Sequence, residues 1–250
     1  MYDDERKMSI LNTIQARGSV NVANLAKKYS VSESTIRRDL SSLEKSGFVK
    51  RTHGGAIPIE SSLTEYDYNA KKTLHSKEKE IIAKKVANMI KNNSTIFLGT
   101  STATNILSCY LTAKGLTIVT NSLDVANIIS KRSDYNLIIL GGNYINTART
   151  IEGMTSINQI QQMHFNQAFL GANGIDVNFG ISTTSDLEAR SKFAVSQNSS
   201  EVYYLCDASK FDRISQYKVS NLSEITAIVT DPSISTDIKE KYDKHCNIII

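Results

Sequence analysis

Ser32, Ser34, Thr35, Arg37 and Arg38 fall within one short stretch, and Lys50, Arg51 and His53 follow soon after it. Hydroxyls beside arginines suit nucleic acid. A hydroxyl or a helix-start amide binds phosphate, and an arginine fork matches the guanine edge in the major groove. A second set of small and polar residues recurs later, each time just behind a short apolar run. It comprises Thr100, Ser101 and Thr102 after Gly99, then Asn121, then Gly141 and Gly142, then Gly171, then Asp207 with Lys210. Hydroxyls with free amides at a helix start form an anion site, to which a lysine adds a point charge for phosphate.

Other chemistries find little support. Neither GxxxxGK[ST] nor GxGxxG behind a strand occurs, which disfavours ATP hydrolysis and NAD chemistry, and no cofactor is expected. The histidines (His53, His75, His164, His245) show no metal-ligand spacing, so no metal site is expected. Cys109, Cys206 and Cys246 are an odd number, far apart, and read as buried free thiols in a reducing compartment.

Apolar periodicity shows what holds the first set in place. Met8, Ile10, Leu11 and Ile14 recur at helical spacing between Asp3–Asp4 and Gly18. Asn21 caps a second short helix with Val22, Leu25 and Ala26 inward and Tyr29 at its end. Ser32 caps a third, running through Ile36, Leu40 and Leu43 until Gly47. Only Ser30-Val31 separates the last two, which describes a helix-turn-helix. Phe48–Thr52 then alternates like a strand and Gly54-Gly55 turns it back, a wing that places Lys50, Arg51 and His53 at DNA backbone or minor groove. Asp39 stands where it could pair with a neighbouring arginine and reduce its availability.

Behind Pro58, residues 59–75 are polar and poorly periodic and read as a linker. A helix over Ser76–Lys91 follows, with Ile81, Ile82, Val86 and Ile90 inward. Short apolar runs come next at Thr95–Leu98, Leu116–Thr120, Asn136–Leu140, Gln167–Leu170, Val202–Cys206, Thr226–Thr230 and Asn247–Ile250. Helical segments at 102–111, 123–131 and 186–196 lie between several of them. Nearly continuous apolar strands alternating with helices indicate an α/β domain with a largely parallel sheet covered on both faces. In such sheets ligands bind beyond the carboxyl ends of the strands, where the second residue set gathers.

Charge divides at the same place. The 250 residues carry a net charge of +4, and residues 1–58 hold 10 Lys+Arg against 6 Asp+Glu while the remainder cancels. A locally basic module beside a neutral domain fits a nucleic-acid reader attached to something else. No stretch approaches the ~18 apolar residues of a membrane span, and the first residues lack a signal pattern, so a cytoplasmic protein with no membrane partner is expected.

Val31-Ser32, Thr35–Leu40, Leu43-Glu44, Gly47 and Arg51–Ala56 resemble the signature of DeoR-family bacterial transcription regulators. The resemblance continues through Val119–Ser122, Leu140–Gly142, Gly153, Ala168–Ala172, Gly174–Asp176, Glu188, Lys192, Asp207, Ser209-Lys210 and Thr230-Asp231. It covers nearly the whole chain. It implies a winged helix-turn-helix over 1–58 and, over 76–250, a sensor similar in fold to ribose-5-phosphate isomerase. It also implies a sequence-specific regulator, more often a repressor of carbohydrate genes than an activator, answering to a phosphorylated sugar. Asp207 and Lys210 would then bind that effector, with the Thr100–Thr102 turn on phosphate and Lys192 beside them.

Departures from the family pattern stand out. Gly99 replaces an aspartate and Ser101 a glycine, Asn166-Gln167 replaces Asp-Lys, and Ile145 sits where a basic residue is frequent. A lone ~58-residue module makes few contacts, so a homo-oligomer (dimer or tetramer) is expected on double-stranded operator DNA. Two other readings compete. A sugar-phosphate isomerase would produce ketose from aldose phosphate, and a constitutive DNA binder with a vestigial pocket would show no stabilisation by any phosphosugar. The residues favour a regulator that is not an enzyme.

Overall fold

The computed structural model describes residues 6–7, 9–11, 13–14, 18–45, 48–58 and 74–250. The Asp3–Asp4 helix start, Met8, the Gly47 stop and linker residues 59–73 lie outside them. The chain divides into two compact units, Met1–Leu74 and His75–Ile250.

In the first unit, residues 6–7, 9–11 and 13–14 are helical, and Ile10, Leu11 and Ile14 are buried. Helix α1 (Val22–Tyr29) is capped by the Asn21 side chain, which accepts from Ala23 N at 2.9 Å. Ser30, at φ +54°, ends it, and α2 (Glu33–Lys45) begins three residues later. The helices close on Leu25, Ile36, Leu40 and Leu43. Strand β2 (Val49–Thr52) pairs antiparallel with β3 (Gly55–Pro58) across a His53–Gly54 turn. The expected wing therefore forms. A third strand, β1 (Val20–Asn21), joins β3 on its other side and was not legible, because two residues carry no periodicity.

The second unit is built on a parallel sheet. Its strands are β4 (Thr95–Leu98), β5 (Thr117–Thr120), β6 (Asn136–Ile139), β9 (Phe165–Leu170), β12 (Ser199–Leu205), β14 (Ala227–Val229) and β15 (Asn247–Ile249). Their order is β15-β14-β12-β9-β4-β5-β6, all parallel. Alternate residues supply two cores. Phe97 and Val119 pack with α6 (Met154–Gln161), α7 (Asp186–Gln197) and α8 (Thr236–Asp243). Ile96, Leu98 and Ile118 pack with α3 (Ser76–Ala87), α4 (Thr102–Tyr110) and α5 (Leu123–Ile129). The chain winds β4-β5-β6 one way and then β9 and its successors the other, so the winding reverses between β4 and β9.

Two small antiparallel pieces were not expected: the hairpin β7 (Asn143–Ile145) with β8 (Thr150–Glu152), and a sheet of β10 (Gly174–Asp176), β11 (Gly180–Thr183) and β13 (Tyr217–Ser220). Helices α6 and α8 were likewise missed.

Three expectations need correction. Ile81 is 48% exposed, whereas Lys79, Ile82, Ala83 and Val86 form the buried stripe of α3 at i, i+3, i+4 and i+7. That helix stops at Ala87 instead of Lys91. Cys109 is exposed; Cys206 is buried, and its burial pushes the thiol up to about 12. No described helix is long and apolar enough to cross a membrane.

Candidate functional site

On the first unit, the helical turn repeats the core stripe as Ile36, Leu40 and Leu43 and leaves Ser34 and Arg38 on the opposite side of α2. Ser32 bonds Ser34 and Thr35 hydroxyls at 2.7 and 2.9 Å and accepts from Thr35 N at 3.2 Å, so it caps α2 as expected. Arg37 pairs with Glu33 at 2.8 Å, both well exposed. Such a surface pair is worth about 0–1 kcal/mol, so a phosphate can take the guanidinium from it. Arg38 is exposed and makes no hydrogen bond or ion pair among the described residues. Asp39 does not pair with either arginine. It is buried with Arg6, whose Nε and Nη2 donate at 2.6 and 3.2 Å. Lys50, Arg51 and His53 are exposed on the wing, which Glu44 ties to α2 by accepting from Arg51 N at 2.9 Å.

On the second unit, the sheet places all the expected ligand residues at its carboxyl edge but does not bring them to one point. Strands are spaced ~4.8 Å apart, so the ends of β12 and β5 are three spacings, roughly 14 Å, from each other, and β12 to β6 is roughly 19 Å. One small ligand cannot reach from Asp207 and Lys210 to Gly141 and Gly142. Gly141 is occupied otherwise: its N donates to Gln159 Oε1 at 2.7 Å and its carbonyl accepts from Ser156 at 2.6 Å.

Beside the β4–β9 reversal lies a small cavity lined by Gly99, Thr100, Asn121, Thr150, Glu188, Ser191 and Lys192 over Phe97 and Leu170. A topological switch point is where open α/β sheets bind ligands. Thr100 Oγ1 donates to Thr150 Oγ1 at 2.9 Å and lies 3.2 Å from Asn121 Oδ1, while Asn121 Nδ2 donates to Thr150 at 2.9 Å. Buried Lys192 donates to the Gly171 carbonyl at 2.7 Å and pairs with Glu188 at 2.6 Å. Thr183 donates to the other oxygen of Glu188. Ser101 caps α4 reciprocally with Thr104, leaving Thr102 as its first residue.

Asp207 sits two strands from Thr100 and accepts from Ser209 N at 3.2 Å and from the Ser209 hydroxyl. Burial by itself would raise its carboxyl, but Lys210, His75, the Ser209 hydroxyl and Lys79 outweigh it and hold the group below the usual carboxylate range. A depressed folded pKa stabilises above the unfolded value of about 4 and is lost as pH falls through the folded one. Asp207→Asn is therefore expected to lower the unfolding midpoint at pH 7 and to flatten its decline below about pH 4. Unfolding curves from pH 3 to 7 check this; parallel wild-type and variant profiles would contradict it. Lys210 itself makes no side-chain hydrogen bond or ion pair among the described residues.

Thr150, His75 and Lys79 were missed. Lys79 had a signal, since it extends the apolar stripe of α3; the other two had none, being remote in sequence from what they face. The departures are absorbed in different ways. A Cβ at Gly99 would come 2.9 Å from Leu170 Cδ2, so any larger residue there would have to push aside the leucine tip that floors the pocket. A Cβ at Gly171 would sit 2.5 Å from Ser101 Cβ, so the serine fills space that only glycine opposite it leaves free. Asn166 and Gln167 lie at the opposite, amino edge of the sheet. There Asn166 accepts from Thr95 N and buried Gln167 donates to Glu201 and the Met89 carbonyl. They cannot touch a ligand at the carboxyl edge. Arg149 forks onto Asp124 at 2.7 and 2.5 Å.

The family model described as "DeoR C terminal sensor domain" matches residues 74–232, and "DeoR-like helix-turn-helix domain" matches residues 6–62. The chain is 32% identical over 246 residues to the "Glycerol-3-phosphate regulon repressor" of Escherichia coli (strain K12), covering 98% of this chain and 97% of that one. It is 33% identical over 255 residues to the "Lactose phosphotransferase system repressor" of Lactococcus lactis subsp. lactis, covering 100% and 99%. Among solved structures, ribose 5 phosphate isomerase A from Neisseria gonorrhoeae is similar at 17% identity and a TM-score of 0.38, over 53% of this chain and 52% of that one. At that score the likeness carries no weight for chemistry.

Proposed function

The chain belongs to the DeoR family of DNA-binding transcription regulators, and on that premise we propose that it represses genes of carbohydrate metabolism until a phosphorylated sugar binds its second unit. The reading divides the chain into a DNA-binding domain over 1–58, a joining segment over 59–75 and a sensor over 76–250. Ser32, Ser34, Thr35, Arg37 and Arg38 enter the major groove, while Lys50, Arg51 and His53 meet backbone or minor groove. The observation that carries it is one chain holding both an exposed, unengaged arginine opposite the α2 core and a hydroxyl-lined cavity at the sheet's switch point.

The effector lies between the Thr100–Thr102 turn and Asp207–Lys210, two strand spacings or roughly 10 Å, the reach of a small sugar phosphate. Lys192 and Asn121 border it, and Gly171 keeps the passage open. Glu188 is already committed to Lys192 and Thr183, which supports binding without conversion. The operator-bound form is a homo-oligomer in the cytoplasm, because one helix and one wing supply too few contacts for tight specific binding.

Two assays test this. A gel shift with the DNA upstream of the chain's own gene should show a salt-sensitive, sequence-selective complex. A thermal-shift panel of glycerol 3-phosphate, fructose 1-phosphate, fructose 6-phosphate and glucose 6-phosphate should raise Tm with at least one compound. Lys210→Ala should weaken that compound at least tenfold, as expected for a lost charged contact of about 1.5–3 kcal/mol, and leave DNA affinity unchanged. An unshifted Tm across the panel overturns the sensor assignment; an unselective complex overturns the regulator assignment.

A further inference from the structure

The cavity at the β4–β9 switch is nearly filled by its own walls. Its free volume is about 10 Å³, scarcely the room of one water. Its polar groups bond one another: Thr100, Asn121 and Thr150 form a triangle, and Lys192 is held by Glu188 and Gly171. A ligand carrying several hydroxyls enters only if a wall moves.

The walls differ in how firmly they are built. Thr100 and Asn121 follow central strands, and Glu188 and Lys192 stand on α7, whose Ala189 and Val195 lie in the core. Thr150 alone comes from the hairpin β7–β8, which pairs with no strand of the large sheet. A two-stranded ribbon of this size is marginal by itself. Its two strands are held unequally, since Thr150, Ile151 and Glu152 of β8 are buried whereas Asn143 and Tyr144 of β7 are exposed.

Both ends of the hairpin are glycines at positive φ, Gly142 at +150° and Gly153 at +121°. At Gly142 a Cβ would fall 2.6 Å from Ser156 Oγ and 2.7 Å from the Glu152 carbonyl. No side chain fits at Gly142 in this arrangement, and glycines are backbone positions that can take up large rotations when a segment moves. Between them Arg149 holds a left-handed φ of +54° and forks onto Asp124 of α5. A backbone bond from Ile151 N to the Asn121 carbonyl at 2.8 Å and an antiparallel bridge between Thr150 and Ser122 add to the fork.

We propose that residues 143–152 are the gate of this pocket, hinged at Gly142 and Gly153 and latched by Arg149 on Asp124, with Thr150 reading ligand hydroxyls from the gate. The nature of the ligand rests on the sugar-phosphate reading; the movement does not. With the latch open, Thr150 leaves Thr100 and Asn121, and all three regain bonding capacity for the ligand. On closure Thr150 completes the contacts. A fixed closed population lowers apparent affinity in proportion, so weakening the latch speeds entry.

Hydrogen exchange on the full-length protein tests the gate without any ligand. Asp124→Asn keeps the side chain's shape and removes its charge, and Arg149→Gln removes the fork from a side chain more than one-third exposed, which leaves the core intact. In both, exchange over 143–152 should quicken about tenfold, the value of one charged hydrogen bond, while β4 and β5 stay unchanged. The chain has no tryptophan, so Tyr144→Trp supplies a reporter of gate opening in stopped flow. Whichever phosphosugar of the panel stabilises wild type should associate several-fold faster with Asp124→Asn and bind about tenfold more weakly to Thr150→Val. Wild-type exchange over 143–152 in both latch variants, or quickening spread evenly over the sheet, would overturn the gate. If no phosphosugar stabilises wild type, the sugar-phosphate reading falls, and the exchange result still decides the gate.

Discussion

Replacing Arg6 with methionine is expected to destabilise the first unit by about 3–5 kcal/mol, because it strands a buried carboxylate. Arg6 and Asp39 are only 5% and 3% exposed, and two hydrogen bonds join them. The pair ties the first helical segment to α2, so its loss loosens the scaffold that presents Arg38. In a unit of this size 1 kcal/mol corresponds to roughly 4–8 °C, so its midpoint should fall by more than about 10 °C. Calorimetry on the whole chain should show the first unit's transition moving down while the second unit's stays in place, and operator binding should fail at growth temperature. The double variant Arg6→Met, Asp39→Leu should recover most of the loss, since apolar residues of similar volume replace a buried pair at little cost. A single variant within about 1 kcal/mol of wild type would show that water already solvates the pair.

Arg38→Ala should lower operator affinity about ten- to hundredfold and relax discrimination at the base pair it reads, the usual worth of one bidentate arginine–guanine contact. Arg38 lies opposite Ile36 and Leu40 and has no described partner to hold it back. Lys50→Ala should act differently, weakening all sequences alike and reducing the salt slope by about one phosphate. Gel shifts with operator and scrambled DNA at several salt concentrations separate the two. Equal affinity of Arg38→Ala and wild type for both DNAs would move recognition elsewhere on the unit.

Much of the first unit was readable in one dimension. Caps at Asn21 and Ser32 and apolar positions at Ile36, Leu40 and Leu43 are local signals, and the helices stand where they point. Asp39 shows the limit. Its neighbours in sequence are arginines, yet it bonds Arg6, thirty-three positions away. Helical rotation turns Asp39 to the buried side and Arg37 and Arg38 to water.

In the second unit the strands were readable and their grouping was not. Each apolar run became a strand within a residue or two at most ends, since a strand buried on both faces needs continuous apolar sequence. The hairpin and the β10-β11-β13 sheet were missed because strands of three or four residues with polar faces leave no such run. Thr150 was lost with the hairpin, and His75 with a helix start that lies beside Asp207 only in three dimensions.

The sequence by itself determined the order of two units, the basic face of one, the parallel α/β class of the other, and the polar character of its strand ends. Those properties follow from periodicity, capping and composition, which act between near neighbours. Tertiary structure alone decided which strand ends share a pocket. The winding reverses after β6, so β9 lies against β4 although some seventy residues separate them. That reversal brings Thr100 beside Lys192 and within two strand spacings of Asp207, and leaves Gly141 and Gly142 too far away. It also sets the hairpin over the cavity, because β5, followed by Asn121 and then by α5 with Asp124, is the strand beside β4 on the other side.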